Sequence, residues 1–230
     1  MKWKMSDYEN IVLTNLEEYL EIYESIFKFP PRPINLDTEN YKKNIAFFGC
    51  SLTYGEGVKN EDTYPSQIQK LSNDEFNCLN FGVPGGSLDL VQIILHKVVE
   101  HLEFIDYIVV QWPNFYRRMY FEEGTYMGWH PMSGGYLTDS FSGVSDLQYC
   151  IVRNIPNLQV INSFKKVYNL SPKIGHDQKQ LFDLYNIHNI LKFPFYHHTG
   201  SEYRLEHDDH PNEKWYEEYS KYLYKEIKNG

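Results

Sequence analysis

Cysteine is scarce in this chain: three residues, Cys50, Cys78 and Cys150, an odd number without metal-type spacing. That argues against a disulfide framework and for reduced, mostly buried thiols. Long apolar runs are missing too. No stretch approaches the ~20 residues needed to span a bilayer. The opening MKWKMSDYEN has basic residues, but no apolar run or small-residue cleavage site follows them. A cytoplasmic location is therefore the default expectation. Positive charge is in deficit: 22 Lys and Arg face 31 Asp and Glu, for a formal net charge of −9. No basic footprint exists for phosphates, so a nucleic-acid partner is not expected. Internal repeats and low-complexity tracts are also absent, and oligomeric state is left open.

What is present suits a single domain. The 230 residues are enough to bury a real core, and 42% hydrophobic with 23% charged residues is globular composition. Aromatic residues reach 17%, with 20 Tyr; packing accounts for most of them, and a ring-stacking cleft is the alternative use.

The pattern along the chain predicts two parts. Residues 6–28 space Ile11, Leu13, Leu16, Leu20, Ile22 and Ile26 at helical intervals, and the prolines of 30–33 end that helix. Residues 1–40 thus read as an N-terminal helical extension packed on a main domain over 41–230. From residue 44 strands alternate with helices: strand 45–50, helix 63–72, strand 76–82, helix 88–102, strand 106–112. Such alternation implies α/β architecture, a three-layer α/β/α sandwich around a parallel sheet. Residues 113–145 show no clean period and read as a long loop, a candidate lid or specificity segment. Residues 146–170 read as mainly helical, 190–196 as a late strand, and 212–228 as a terminal helix with Trp215, Tyr219, Tyr222, Leu223 and Ile227 on one face.

The residues suited to chemistry fall where parallel sheets place their ligands, beyond the carboxyl ends of the strands. Gly49-Cys50-Ser51-Leu52-Thr53-Tyr54-Gly55 directly follows the first strand. A turn there exposes a serine hydroxyl, which becomes a nucleophile only when a base takes its proton. The G-x-S-x-G elbow is excluded because Thr53 occupies its second glycine position. A P-loop is excluded because no Gly-Lys-Ser/Thr follows. Taken alone, a Gly-Ser turn is often only a turn.

Three further segments strengthen the pattern: Asn80-Phe81-Gly82-Val83-Pro84-Gly85-Gly86-Ser87, Gln111-Trp112-Pro113-Asn114, and His207-Asp208-Asp209-His210-Pro211-Asn212 before the final helix. In order, with the Ser51 segment, these four resemble the blocks of the SGNH (GDSL-like) hydrolases across most of residues 44–220. The first block is usually G-D-S-x-T-x-G, with Cys50 here in place of the aspartate. The third is usually G-x-N-D, matched here only at Asn114. The fourth is usually D-x-x-H-P, with His207 here where the acid stands.

The resemblance implies a flavodoxin-like fold of the SGNH type and a serine esterase acting through a Ser51 acyl-enzyme. It makes His210 the general base and Ser51, Gly85 and Asn114 the oxyanion donors. The orienting acid is then Asp208 or Asp209, with Asp208 favoured because a residue two before His210 reaches back to its ring more easily. Gly85 and Gly86 equally suit a turn needing positive φ. Arg117, with Arg118, follows the third strand and suits an anionic or carbonyl-bearing part of the substrate, or equally a surface ion pair.

No cofactor is implied. Although His197-His198 and the 207–210 cluster hold metal-ligand types, sequence neighbours rarely converge on one ion, so no metal is expected. The expected substrate is a small-molecule or glycan ester, an O-acetylated carbohydrate among the candidates. Acyl transfer by the same serine and a catalytically silent binding domain are the alternative functions.

Overall fold

The computed structural model describes residues 32–33, 40–86, 91, 94–95, 105–113, 117–122, 125–131, 167–171, 190–192, 201–206 and 210–229. The expected helix over 6–28 lies outside these residues, as does Cys150.

Strand β1 (Lys43–Gly49) is an apolar run of the kind a strand covered on both faces requires, and it is buried along nearly its whole length. After it come a one-turn helix α1 (Ser51–Tyr54), helix α2 (Tyr64–Leu71), and strands β2 (Phe76–Gly82) and β3 (Tyr107–Gln111). The Thr63 hydroxyl caps α2 by accepting from the Ser66 N–H, and Pro65 sits in the first turn, where its missing N–H costs nothing. Strands β4 (Arg117–Glu122) and β5 (Thr125–Pro131) follow, then β6 (Val167–Ser171), β7 (Ile190–Lys192) and helix α3 (Glu213–Asn229).

Five strands form one sheet in the order β2-β1-β3-β6-β7, and each neighbouring pair is parallel. The chain leaves β1 for β2 on one side and then crosses back past β1 to β3. Right-handed crossovers therefore put α2 on one face and the helix containing Val91, Ile94 and Leu95 on the other. The fold is a three-layer α/β/α sandwich. It also has the switch point of such sheets, between the carboxyl ends of β1 and β3, the place where sheets of this kind bind their ligands.

The face toward α2 and α3 holds the larger aromatic core. Ile45, Phe47, Val109 and Leu170 pack with Tyr64 and Ile68 of α2 and with Trp215, Tyr216, Tyr219 and Leu223 of α3. Trp215 stacks on Tyr219 at 4.8 Å between ring centres, and Tyr219 meets Tyr64 edge-on at 5.2 Å. These rings explain much of the aromatic content as packing. On the opposite face Phe48 stacks on its cross-strand partner Phe81 at 5.2 Å.

Two expectations are corrected. The segment read as a long loop contains the antiparallel pair β4–β5, with Arg117 opposite Pro131 and Glu122 opposite Thr125. Only Glu123 and Gly124 separate the two strands, a spacing that suits a hairpin. The end of the stretch read as helical is instead β6, which pairs with β3 from Ile108↔Val167 to Gln111↔Leu170. An apolar run this short fits either period, and pairing with a neighbour decides it.

Candidate active site

Ser51 opens α1 immediately beyond β1 and is 4% exposed. The turn around it is closed by its own backbone. The Cys50 carbonyl accepts from the Thr53 and Tyr54 N–H groups, both at 3.0 Å, and the Ser51 carbonyl accepts from Gly55 at 2.8 Å and Glu56 at 3.0 Å. Gly55 ends the helix at φ +80°, and a Cβ there would lie 2.3 Å from the Thr63 methyl. Both facts require glycine at this reversal.

The second block is fastened to the first. Asn80 donates its side-chain N–H to the Thr53 carbonyl at 2.8 Å and accepts from the Gly82 N–H at 2.9 Å. The Val83 N–H donates to the Gly49 carbonyl at 3.0 Å. Gly82 lies directly under the serine turn: a Cβ there would come within 2.2 Å of the Tyr54 nitrogen. Gly85 has φ +65°, so its turn does require a left-handed residue.

From β3, Gln111 reaches the same turn. Its carbonyl oxygen accepts from the Cys50 thiol at 3.4 Å and the Thr53 hydroxyl at 3.3 Å, and its N–H donates to the Trp112 carbonyl at 3.1 Å. Thr53 is also hydrogen-bonded at 2.8 Å to the Tyr64 hydroxyl, which burial pushes well above its usual range. Cys50, the residue in the place of the family's aspartate, is thus a buried thiol bonded to an amide.

The His210 segment arrives from the far end of the chain. Arg204 and Pro211 form an antiparallel bridge, the Leu205 N–H donates to the His210 carbonyl at 2.9 Å, and the Asn212 N–H donates to the Tyr203 carbonyl at 3.1 Å. The Asn212 side chain caps α3 by accepting from the Trp215 N–H at 3.2 Å. His210 Nε2 lies 3.3 Å from Oε2 of Glu56, with both side chains about two-thirds buried or more, at 26% and 35% exposure. Sequence reasoning missed Glu56; an acid five places after a serine matches no motif, and only its backbone bond to Ser51 singles it out.

A further segment joins the turn. Arg32 donates to the carbonyls of Tyr54 at 2.8 Å, Gly55 at 2.6 Å and Val58 at 3.0 Å, and its guanidinium sits 4.3 Å from the centre of the Tyr54 ring. Of the expected site residues, Ser51 and His210 each contact Glu56, Ser51 through its backbone carbonyl and His210 through its imidazole, while the Ser51 hydroxyl points at the Cys50 thiol 4.0 Å away. Gly85 lies on the loop bonded to the Ser51 turn. Asn114, Asp208 and Asp209 lie outside the described residues. Arg117 begins β4, and its side chain is likewise outside them. Among the described residues, no group of three His, Cys, Asp or Glu side chains could hold a metal ion, and no helix is long and apolar enough to cross a membrane.

No protein-family profile matches the chain, and no curated protein matches it by sequence. Solved structures do match it by shape. The psychrotrophic esterase EstA from Pseudoalteromonas sp. is similar over 81% of this chain and 97% of its own, with 12% identity and a TM-score of 0.54. TesA is similar over 81% of this chain and 99% of its own, with 11% identity and a TM-score of 0.56. At such identities the likeness is one of fold, and it extends over nearly the whole of both relatives.

Proposed function

On a fold shared with an esterase, we propose that this chain is itself an SGNH-type serine esterase, cleaving a carboxylic ester through an acyl-enzyme on Ser51. The observation that carries the reading is the tie between the Ser51 turn and the His210 segment, made through Glu56 beside the switch point of the sheet, where sheets of this kind bind their ligands.

In this reading the Ser51 hydroxyl oxygen attacks the ester carbonyl carbon while His210 accepts its proton. The carbonyl oxygen becomes an oxyanion facing the N–H groups of Ser51 and Gly85 and the Asn114 amide. One such donor is typically worth about 3–4 kcal/mol of barrier. Collapse of the tetrahedral intermediate breaks the ester C–O bond, and the alkoxide leaves with the proton from His210. Water, deprotonated by the same histidine, then releases the acid and restores Ser51. Arg117 contributes to substrate binding, and the substrate is a small-molecule or glycan ester, with O-acetylated carbohydrate the form to test first. The acid beside the imidazole is Asp208 on the sequence pattern, and the structure adds Glu56 as a rival.

Hydrolysis of a short-chain aryl ester by the wild type and Ser51→Ala tests the proposal, together with labelling by a fluorophosphonate. A phosphonate is a fitting probe, since the Pseudoalteromonas esterase is inhibited by monoethylphosphonate. Stoichiometric labelling at Ser51 and loss of turnover in the variant are expected. Equal rates in the two proteins would remove Ser51 from the mechanism.

A further inference from the structure

The geometry points to Glu56 as the carboxylate that positions His210, an inference that rests on the serine-esterase reading above. Its Oε2 lies 3.3 Å from Nε2 of the imidazole, within ion-pair distance.

The contact is built from the backbone on both sides. Glu56 donates its own N–H to the Ser51 carbonyl at 3.0 Å, so the carboxylate is carried by the same turn as the nucleophile. Arg32 holds the carbonyls of Gly55 and Val58, on either side of Glu56 along the chain. The next residue, Gly57, has φ +87°, and a Cβ there would lie 2.1 Å from a Leu205 methyl. Leu205 therefore packs directly on the Glu56 loop, and its N–H donates to the carbonyl of His210 itself. Two loops nearly 150 positions apart are joined at Gly57–Leu205 and again at Glu56–His210.

The chemistry follows from which nitrogen the carboxylate takes. An acceptor beside Nε2 favours the tautomer with its proton there and the basic lone pair on Nδ1, the atom this inference assigns to take the Ser51 proton. In the first step the Oγ–H bond breaks, an Nδ1–H bond forms, and the Oγ electron pair forms the bond to the acyl carbon. The Glu56 carboxylate offsets the charge of the imidazolium. It never touches the substrate; it is a positioning residue.

The test compares wild type, Ser51→Ala, Glu56→Gln, Glu56→Asp and Asp208→Asn by fluorophosphonate labelling rate, aryl-ester kcat and KM, and thermal midpoint. Glu56→Gln is expected to lower kcat and the labelling rate on the order of 10,000-fold with KM little changed, the pattern of a lost orienting acid. Glu56→Asp, which keeps the charge on a shorter stem, should recover part of that loss. The loss in Glu56→Gln should also exceed that in Asp208→Asn. Wild-type labelling with an unchanged rate in Glu56→Gln overturns the role of Glu56 and leaves Ser51 standing. So does the reverse order, with Asp208→Asn the more damaging. If Glu56→Asp is no better than Glu56→Gln, the residue is merely structural and the inference fails. Absence of labelling in the wild type brings down the serine reading, and this one with it.

Discussion

Tyr216 donates its hydroxyl hydrogen to the carbonyl of Leu52 at 3.1 Å, a bond that spans 164 positions and joins the final helix to the residue after Ser51. Tyr216 is fully buried, and its ring is boxed in by Tyr64 and Trp215. The bond is therefore made in a dry environment, where an acceptor that loses its donor is costly.

Tyr216→Phe keeps the ring and removes only that donor. The Leu52 carbonyl then loses a buried hydrogen bond, for an expected destabilisation of about 1–2 kcal/mol. Because the bond also fixes the serine turn relative to the helix that follows His210, aryl-ester turnover should fall more than substrate affinity does. Urea denaturation and steady-state kinetics check both effects. Stability and turnover equal to the wild type would show that packing alone aligns the two segments.

Arg32 is expected to matter beyond its own region of the chain, because it satisfies three carbonyls around the Ser51 turn at once. Hydrogen bonds from a charged donor are the stronger kind, so Arg32→Ala should cost about 2–3 kcal/mol and reduce turnover. Arg32→Lys should recover little, since an ammonium cannot span three acceptors as a planar fork does. Thermal unfolding of the two variants decides it. Full rescue by lysine would mean that charge, not geometry, is what the turn needs.

Gly82→Ala and Gly86→Ala separate two reasons for glycine in the second block. At Gly82 the new methyl would run into backbone, 2.2 Å from the Tyr54 nitrogen and 2.7 Å from the Thr53 carbonyl carbon. Backbone within a turn held from three sides cannot move aside, and the expected loss is at least about 3 kcal/mol. At Gly86 the nearest atom is the Val83 carbonyl oxygen at 2.9 Å, with Cys50 next at 3.4 Å. A small shift of that loop suffices there, so the loss should be about 1–2 kcal/mol. Urea midpoints of the two proteins give the comparison, and equal losses would refute the distinction.

The sheet was legible where its strands are long enough to declare a period. Strand β2 occupies the expected 76–82, and α3 ends within a residue of its expected limit because Trp215, Tyr219, Leu223 and Ile227 mark a buried stripe. Strand β6 was misread because Val167, Tyr168 and Leu170 carry no periodic signature in five residues; their pairing with β3 is a tertiary fact. The same divide runs through the candidate site. Ser51 and His210 can be proposed from the sequence because local blocks surround them. Glu56, Arg32 and Tyr216 cannot be, since each acts through a partner distant in the chain, and nothing in its own neighbourhood announces the contact.

Alkaline pH should unfold this protein sooner than its acidic composition suggests. Burial raises Tyr216 and Tyr219 well above the ordinary tyrosine value of 10.0, and Cys78 well above 9.0. Tyr64 is raised as well, burial outweighing the opposing effect of its bond to Thr53. In the folded state these four groups keep their protons where the unfolded chain gives them up, so the unfolded state binds fewer protons and stability falls as pH rises. The stabilising contribution is complete below about pH 9 and is lost above it, at about 1.4 kcal/mol per pH unit for each group past its ordinary value. The four groups act in the same direction, so the decline steepens once the pH passes the ordinary tyrosine value. Urea midpoints measured from neutral to alkaline pH, with phenolate absorbance followed in parallel, give the check. The buried tyrosines should ionise only as the protein unfolds, and phenolate absorbance from all 20 tyrosines in a chain still folded would overturn the account.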